Sequence, residues 1–141
     1  MQQQLGHTFK FSCLALGLSL CASEPCLKYE PEVVELIGTM KRQVFAGPPN
    51  FESVKDGDKP EKYWILHLSK PICVAPVEPD SRGINVPEAD VRLLQLNQVD
   101  YKGSKHLLGK QVRVKGRLVH AITGHHHTNV MLEVQSVEPA T

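Results

Sequence analysis

The sequence has no surplus of either charge: 16 Lys and Arg stand against 15 Asp and Glu. Proteins that neutralise nucleic-acid phosphates carry a basic footprint. None is visible here, so DNA and RNA are not expected partners. Aromatic residues make up 6% of the chain, with a single Trp, too few for the stacking platforms that hold single strands. Ser53, Ser69 and Ser104 lie in no recognisable nucleophile motif, so no enzymatic activity is expected. No apolar run approaches the ~20 residues that a membrane-spanning helix needs. The Asp56-x-Asp58 pair lacks the further oxygen ligands and the sixth-position Gly of an EF-hand loop, and it reads as a solvated turn. What the chain does have is ten Pro and ten Gly in 141 residues, a composition that suits one loop-rich β domain.

Its beginning differs from the rest. Met1 to Lys10 holds one basic residue and no acid, and Phe11 to Ala22 (FSCLALGLSLCA) is apolar, with small residues at Ala22 and Ser23. Basic end, apolar middle and small-residue cleavage site are the layout of a secretory signal peptide. Residues 1–23 are therefore expected to be removed, with cleavage after Ala22 or Ser23, leaving a domain over 24–141 that is periplasmic or secreted. Lipidation of Cys21 is the lesser alternative, since Leu20 stands where such sites want a small side chain. Cys13 and Cys21 leave with the leader, and Cys26 and Cys73 remain. An even pair in an exported chain is expected to form a disulfide. The loop it closes, about 47 residues, is worth roughly 4 kcal/mol on the chain-entropy model. The competing reading is a pair of free thiols.

Alternation of apolar and polar residues predicts five strands: 33–45, 62–74, 91–99, 111–122 and 129–137. Gly38 inside the first marks a bulge or bend, and Pro71 limits pairing near the end of the second. Asp100 and Gly109 frame a short helix over 101–108. Two stretches echo each other: Val34 to Met40 and Val112 to Leu118 share the form V-x-[LV]-x-G-x-[LM], as expected of two bent strands of similar geometry. Strand, strand, strand, short helix, strand, strand is the element order of an OB-fold, a five-stranded Greek-key barrel. The expected fold is thus all-β, a small five-stranded OB-fold-like barrel with one short helix between strands three and four. An open β-sandwich is the alternative.

Three segments carry a likeness: CLKYEP from Cys26, GPPNFESVKDGDKPEKYWILHLSKPICV from Gly47 to Val74, and LLGKQVRVKGRLVHAITGHHHTNVMLEV from Leu107 to Val134. With them the chain resembles a family of exported bacterial proteins known as domain of unknown function 4431. The resemblance implies no activity, and it supports Cys26 and Cys73 as a pair.

OB-fold ligands bind near the face of strands two and three, between the loop joining strands one and two and the loop joining strands four and five. Here those loops are 46–61 and 123–128. The expected groove is bordered by Asn50, Phe51, Glu52, His125, His126 and His127, with Tyr63 or Trp64 as its floor. Against this stands the plainer reading that Phe51 and Trp64 serve burial. The expected function is an exported binding module for a protein, peptide or cell-wall saccharide, with no cofactor. One alternative is a periplasmic metal-binding protein. His125 and His127 point the same way in an extended segment, and with His120 as a third ligand they would suit zinc, copper or nickel. A pH switch at the triplet is a further reading. So is a hydrolase of unrecognised type, which needs a His–carboxylate pair such as His125 with Glu52 to meet.

Overall fold

The computed structural model describes residues 24–141. The expected signal peptide, its cleavage after Ala22 or Ser23 and the lipidation of Cys21 lie outside them. All five expected strands form: β2 (Val33–Ala46), β3 (Pro60–Ala75), β4 (Glu88–Asn97), β5 (Gln111–His120) and β6 (Val130–Pro139). A sixth, β1 (Leu27–Lys28), precedes them. It lies parallel to the end of β3, Leu27 opposite Val74, and the Cys26–Cys73 disulfide ties it there. The fold is all-β, and the expected count of five corrects to six. A two-residue strand carries no periodicity for a sequence reading to find.

The strands make one mixed sheet in the order β1-β3-β2-β5-β6-β4, and β3 also pairs with β4. Hydrogen bonding therefore returns on itself through the five long strands. All of its pairings are antiparallel except β4 with β6, where Leu96 sits opposite Leu132. The alternating residues point to a common interior, and Met40, Leu66, Leu94, Leu96, Val112, Val114, Leu118 and Leu132 are fully buried there.

Gly38 is where β2 changes partner. It is the last residue of the β3 register, opposite Leu68, and it also pairs with Val112 of β5. A Cβ at Gly38 would run into the main-chain carbonyl of His67, so only Gly lets the strands meet at this corner. Below the corner β2 follows β5 and leaves β3, opening a gap of about 810 Å³ bordered by Glu35, Ile37, Ser69, Lys70, Pro71 and Cys73. The two echoing segments turn out to be partners: Val34 faces Gly116 and Gly38 faces Val112 in an antiparallel register. A register shift follows between Lys115 and Gly116 on the β6 side.

The expected helix over 101–108 is replaced by turns and one three-residue 3-10 helix, Lys105–Leu107. The Asp100 carboxylate accepts the N–H groups of Lys102 and Gly103, which closes an Asx turn in place of a continuing helix. Leu107 still anchors the connection, at 3% exposure. Among the described residues no helix is long and apolar enough to cross a membrane.

Candidate functional site

The loop between β2 and β3 is built around a buried carboxylate. Asp58, 4% exposed, accepts the N–H groups of Asn50, Glu52 and Ser53 at 2.8–2.9 Å. Those backbone donors, Ser53's foremost, hold its carboxyl below the usual carboxylate range. The expected solvated turn at Asp56-x-Asp58 is corrected here. Asp56 is exposed, but Asp58 is the internal ligand that shapes the loop. Asn50 and Glu52 offer their backbones to it. Phe51 between them takes the left-handed conformation, φ 59°, and its N–H donates to Gly47 O. Few non-glycine residues adopt that conformation. It sends the Phe51 ring beside Gly124, where a Cβ would meet it at 3.4 Å, and edge-on to His125, with centroids 5.2 Å apart.

The histidine loop lies flat on the outer face of the sheet. Ile65, Gln95 and Met131 are cross-strand neighbours on that face and all are buried, although the face is the one turned away from the interior. Gln95 holds the loop down. Its amide N–H donates to His125 O at 3.1 Å, and its amide oxygen accepts the His127 N–H at 2.8 Å. Its backbone N–H donates to Thr128 Oγ1, which donates in turn to Val130 O.

Within this frame the three histidines have three different tasks. His125 Nδ1 lies 3.0 Å from each Glu61 oxygen. His127 stacks on Phe45, with centroids 4.2 Å apart and planes 4° from parallel. Its Nε2 is buried with no hydrogen-bond partner and is 3.7 Å from Glu61 Oε2. His126 Nδ1 accepts the N–H groups of Ile122 and Thr123, so this ring is a cap for its own loop. Tyr63 donates to Glu61 Oε2 at 3.2 Å. The His125 hydrogen bond, and then that of Tyr63, holds the Glu61 carboxyl below its ordinary value.

Of the residues expected to border a groove, Phe51 and His125 are in contact, and His126 and His127 follow in the same loop, His126 turned to its own backbone. Tyr63 adjoins them, its ring 5.2 Å from His127. Trp64 is not part of this cluster. It is 4% exposed on the opposite, inward face, edge-on to Tyr101, because successive residues of a strand face opposite ways. The His–carboxylate pair that forms is His125 with Glu61 rather than with Glu52. Glu61 and Gln95 were not singled out by the sequence, since nothing local marks a residue whose partners stand 64 and 30 positions away. The metal set His120, His125 and His127 is not assembled. His120 sits at the base of the loop with Nε2 3.1 Å from Glu88 and Nδ1 3.0 Å from Ala121 O. Among the described residues no group of three or more His, Cys, Asp or Glu is placed to hold a metal ion.

Burial, chiefly, pushes the His126 and His127 imidazoles below their ordinary value. A histidine so depressed binds more protons unfolded than folded. Its contribution to stability is complete above the ordinary histidine value and is lost as pH falls below it. Protonating His126 at Nδ1 also removes an acceptor from two N–H groups. Amide exchange at Ile122 and Thr123, corrected for intrinsic rates, should therefore accelerate as pH drops from 7.5 to 5. Protection that is the same at both pH values would contradict the capping role of His126.

Residues 93–138 match the model of a family described as "Domain of unknown function (DUF4431)", in agreement with the resemblance carried by the C-terminal segment. The match runs from β4 to β6 and includes the whole histidine loop and Gln95 beneath it. No curated protein and no solved structure matches the chain.

Proposed function

We propose that the chain is an exported binding module with an OB-fold-like barrel, and that it takes a protein, peptide or saccharide ligand on the joint surface of its two long loops. The carrying observation is the Phe51–His125 contact between segments far apart in sequence. It joins the β2–β3 loop to the β5–β6 loop and leaves Phe51 37% exposed and the His125 side chain 52% exposed. An aromatic edge beside a polar, hydrogen-bonding rim is the usual make-up of a recognition surface. The closed ring of five long strands, with the third and fifth of them parallel, supports the barrel reading, and the OB-fold binds at these same two loops. The Cys26–Cys73 bond supports export, because disulfides persist in oxidising compartments.

A panel of cell-wall saccharide fragments and a peptide library, read by amide chemical shifts, tests the proposal. A ligand should move the resonances of Phe51, Gly124 and His125 first. Binding that maps only to other parts of the molecule would remove it.

A further inference from the structure

A second pocket lies on the other side of the β2–β3 hairpin. The cross-strand pairs Met40–Leu66, Arg42–Trp64 and Val44–Lys62 share the inward face. Met40 and Leu66 belong to the core, whereas Arg42 and Lys62, further along, are exposed. The β4–β5 connection folds beneath them. Tyr101 meets Trp64 edge-on at 4.8 Å, and Lys105 and Leu108 complete the wall. The resulting hollow is about 290 Å³ and is lined by Arg42, Lys62, Trp64, Tyr101, Lys105 and Leu108. Its lining holds three cationic side chains and no carboxylate. Among the described residues none of the three forms an ion pair; the ion pairs that form use Arg82, Arg92, Arg113, Lys115 and histidines.

We propose that this pocket binds a small ring-bearing anion, a uronate or a sugar phosphate, with Arg42, Lys62 and Lys105 on the oxyanion and the Trp64–Tyr101 pair against the ring. Three cations around one hollow repel each other, and an oxyanion relieves that repulsion. The Arg42 guanidinium offers the planar fork that carboxylate and phosphate accept in bidentate fashion. Tyr101 is 43% exposed and presents ring surface to a ligand, while Trp64 backs it. The volume is just under the ~300–1,000 Å³ of small-molecule pockets, which suits one ring rather than a polymer. The site is separate from the loop cleft: Trp64 and Tyr63 are adjacent residues on opposite faces of β3. It does not rest on the proposed function.

Trp64 is the only Trp in the chain, so its fluorescence reports this pocket alone. The full protein is titrated at constant ionic strength with glucuronate, glucose 6-phosphate, inorganic phosphate and glucose. A saturable change is expected with one or both anionic sugars, a weaker response with inorganic phosphate and none with glucose. Arg42→Gln should weaken binding about tenfold or more, as for a lost charge-assisted bond, and Lys105→Gln should weaken it as well. Both side chains are exposed, and an unchanged melting temperature verifies that each variant folds. His125→Ala should bind as the parent does. The proposal is overturned by no saturable response to either anionic sugar, by inorganic phosphate binding as tightly as they do (an adventitious ion only), or by undiminished binding in folded Arg42→Gln.

Discussion

Replacing Cys26 and Cys73 together by Ser is expected to cost about 4 kcal/mol of stability, within the ~2–5 kcal/mol that a native disulfide of a small domain is usually worth. The bond closes a loop with a sequence separation of 47. It also holds a segment with few other ties. β1 has only two residues on β3. Next to it Tyr29 is fully buried, its hydroxyl donating to Val86 O at 2.7 Å. Burial, and then the charge of Glu88, pushes the Tyr29 phenol up to about 12. Without the covalent tie, the segment is left with this buried ring and its hydrogen bond, the two-residue pairing with β3 and the backbone bonds from Tyr29 N–H to Ala75 O and from Glu30 N–H to Leu118 O. Urea unfolding of the Ser variant beside the parent measures the difference, with a fall in melting temperature on the order of 15 °C expected alongside. A change under ~1 kcal/mol would show that the segment stays docked without its bond and that the entropic argument fails for this loop.

The second large effect is expected at Gly116. A Cβ there would collide with the main-chain carbonyl of Glu133, and backbone in a paired strand cannot yield as a flexible side chain does. Gly116→Ala should cost about 1–3 kcal/mol and Gly116→Val more, as overpacked sites do. Gly38→Ala should behave alike, because its Cβ meets the His67 carbonyl. Gly124→Ala is the control: its nearest neighbours are Phe51 ring atoms at 3.4 Å, ordinary contact, so the change should stay within ~0.5 kcal/mol. Equal melting temperatures for Gly116→Ala and the parent would mean that the corner has slack.

These two glycines also show how far the sequence could be read. The V-x-[LV]-x-G-x-[LM] echo announced two strands of like geometry, and alternation located five strands to within three residues at each end. What the echo could not announce is that the two copies pair with each other. Register between distant strands is decided by the whole sheet, and no short pattern records it. The helix over 101–108 was overread for a related reason. Asp100 fits a helix cap and an Asx turn equally well, and Gly103 and Gly109 tip the balance, Gly109 with φ 77°. At the site, the two long loops were legible as loops that meet. Their organisers were not. Asp58 looked like a surface turn residue, Gln95 was one more residue of a strand, and Glu61 was one charge in a polar stretch. Each works through partners supplied by folding. Tyr63 and Trp64 were left as alternatives because both sides of β3 are apolar at this height: Trp64 and Leu66 point inward, in keeping with the plainer reading of Trp64 as a burial residue, while Ile65, equally buried, points outward under the histidine loop.

The gap below Gly38 has a consequence for how the molecule keeps apart from its own copies. A sheet closed on itself offers no long run of free N–H and C=O groups to a second chain, and so no template for edge-to-edge aggregation. One stretch of edge is left where β2 has departed from β3 and the β3 edge lies open beside the gap. Lys70 and Pro71 stand at that edge. A Pro has no N–H to donate to an added strand, and a Lys side chain must be desolvated before one can dock; both are residues that edge strands use against unwanted pairing. The bend that lets the sheet close thus uncovers a short length of edge, and the residues placed along it discourage another strand from adding there.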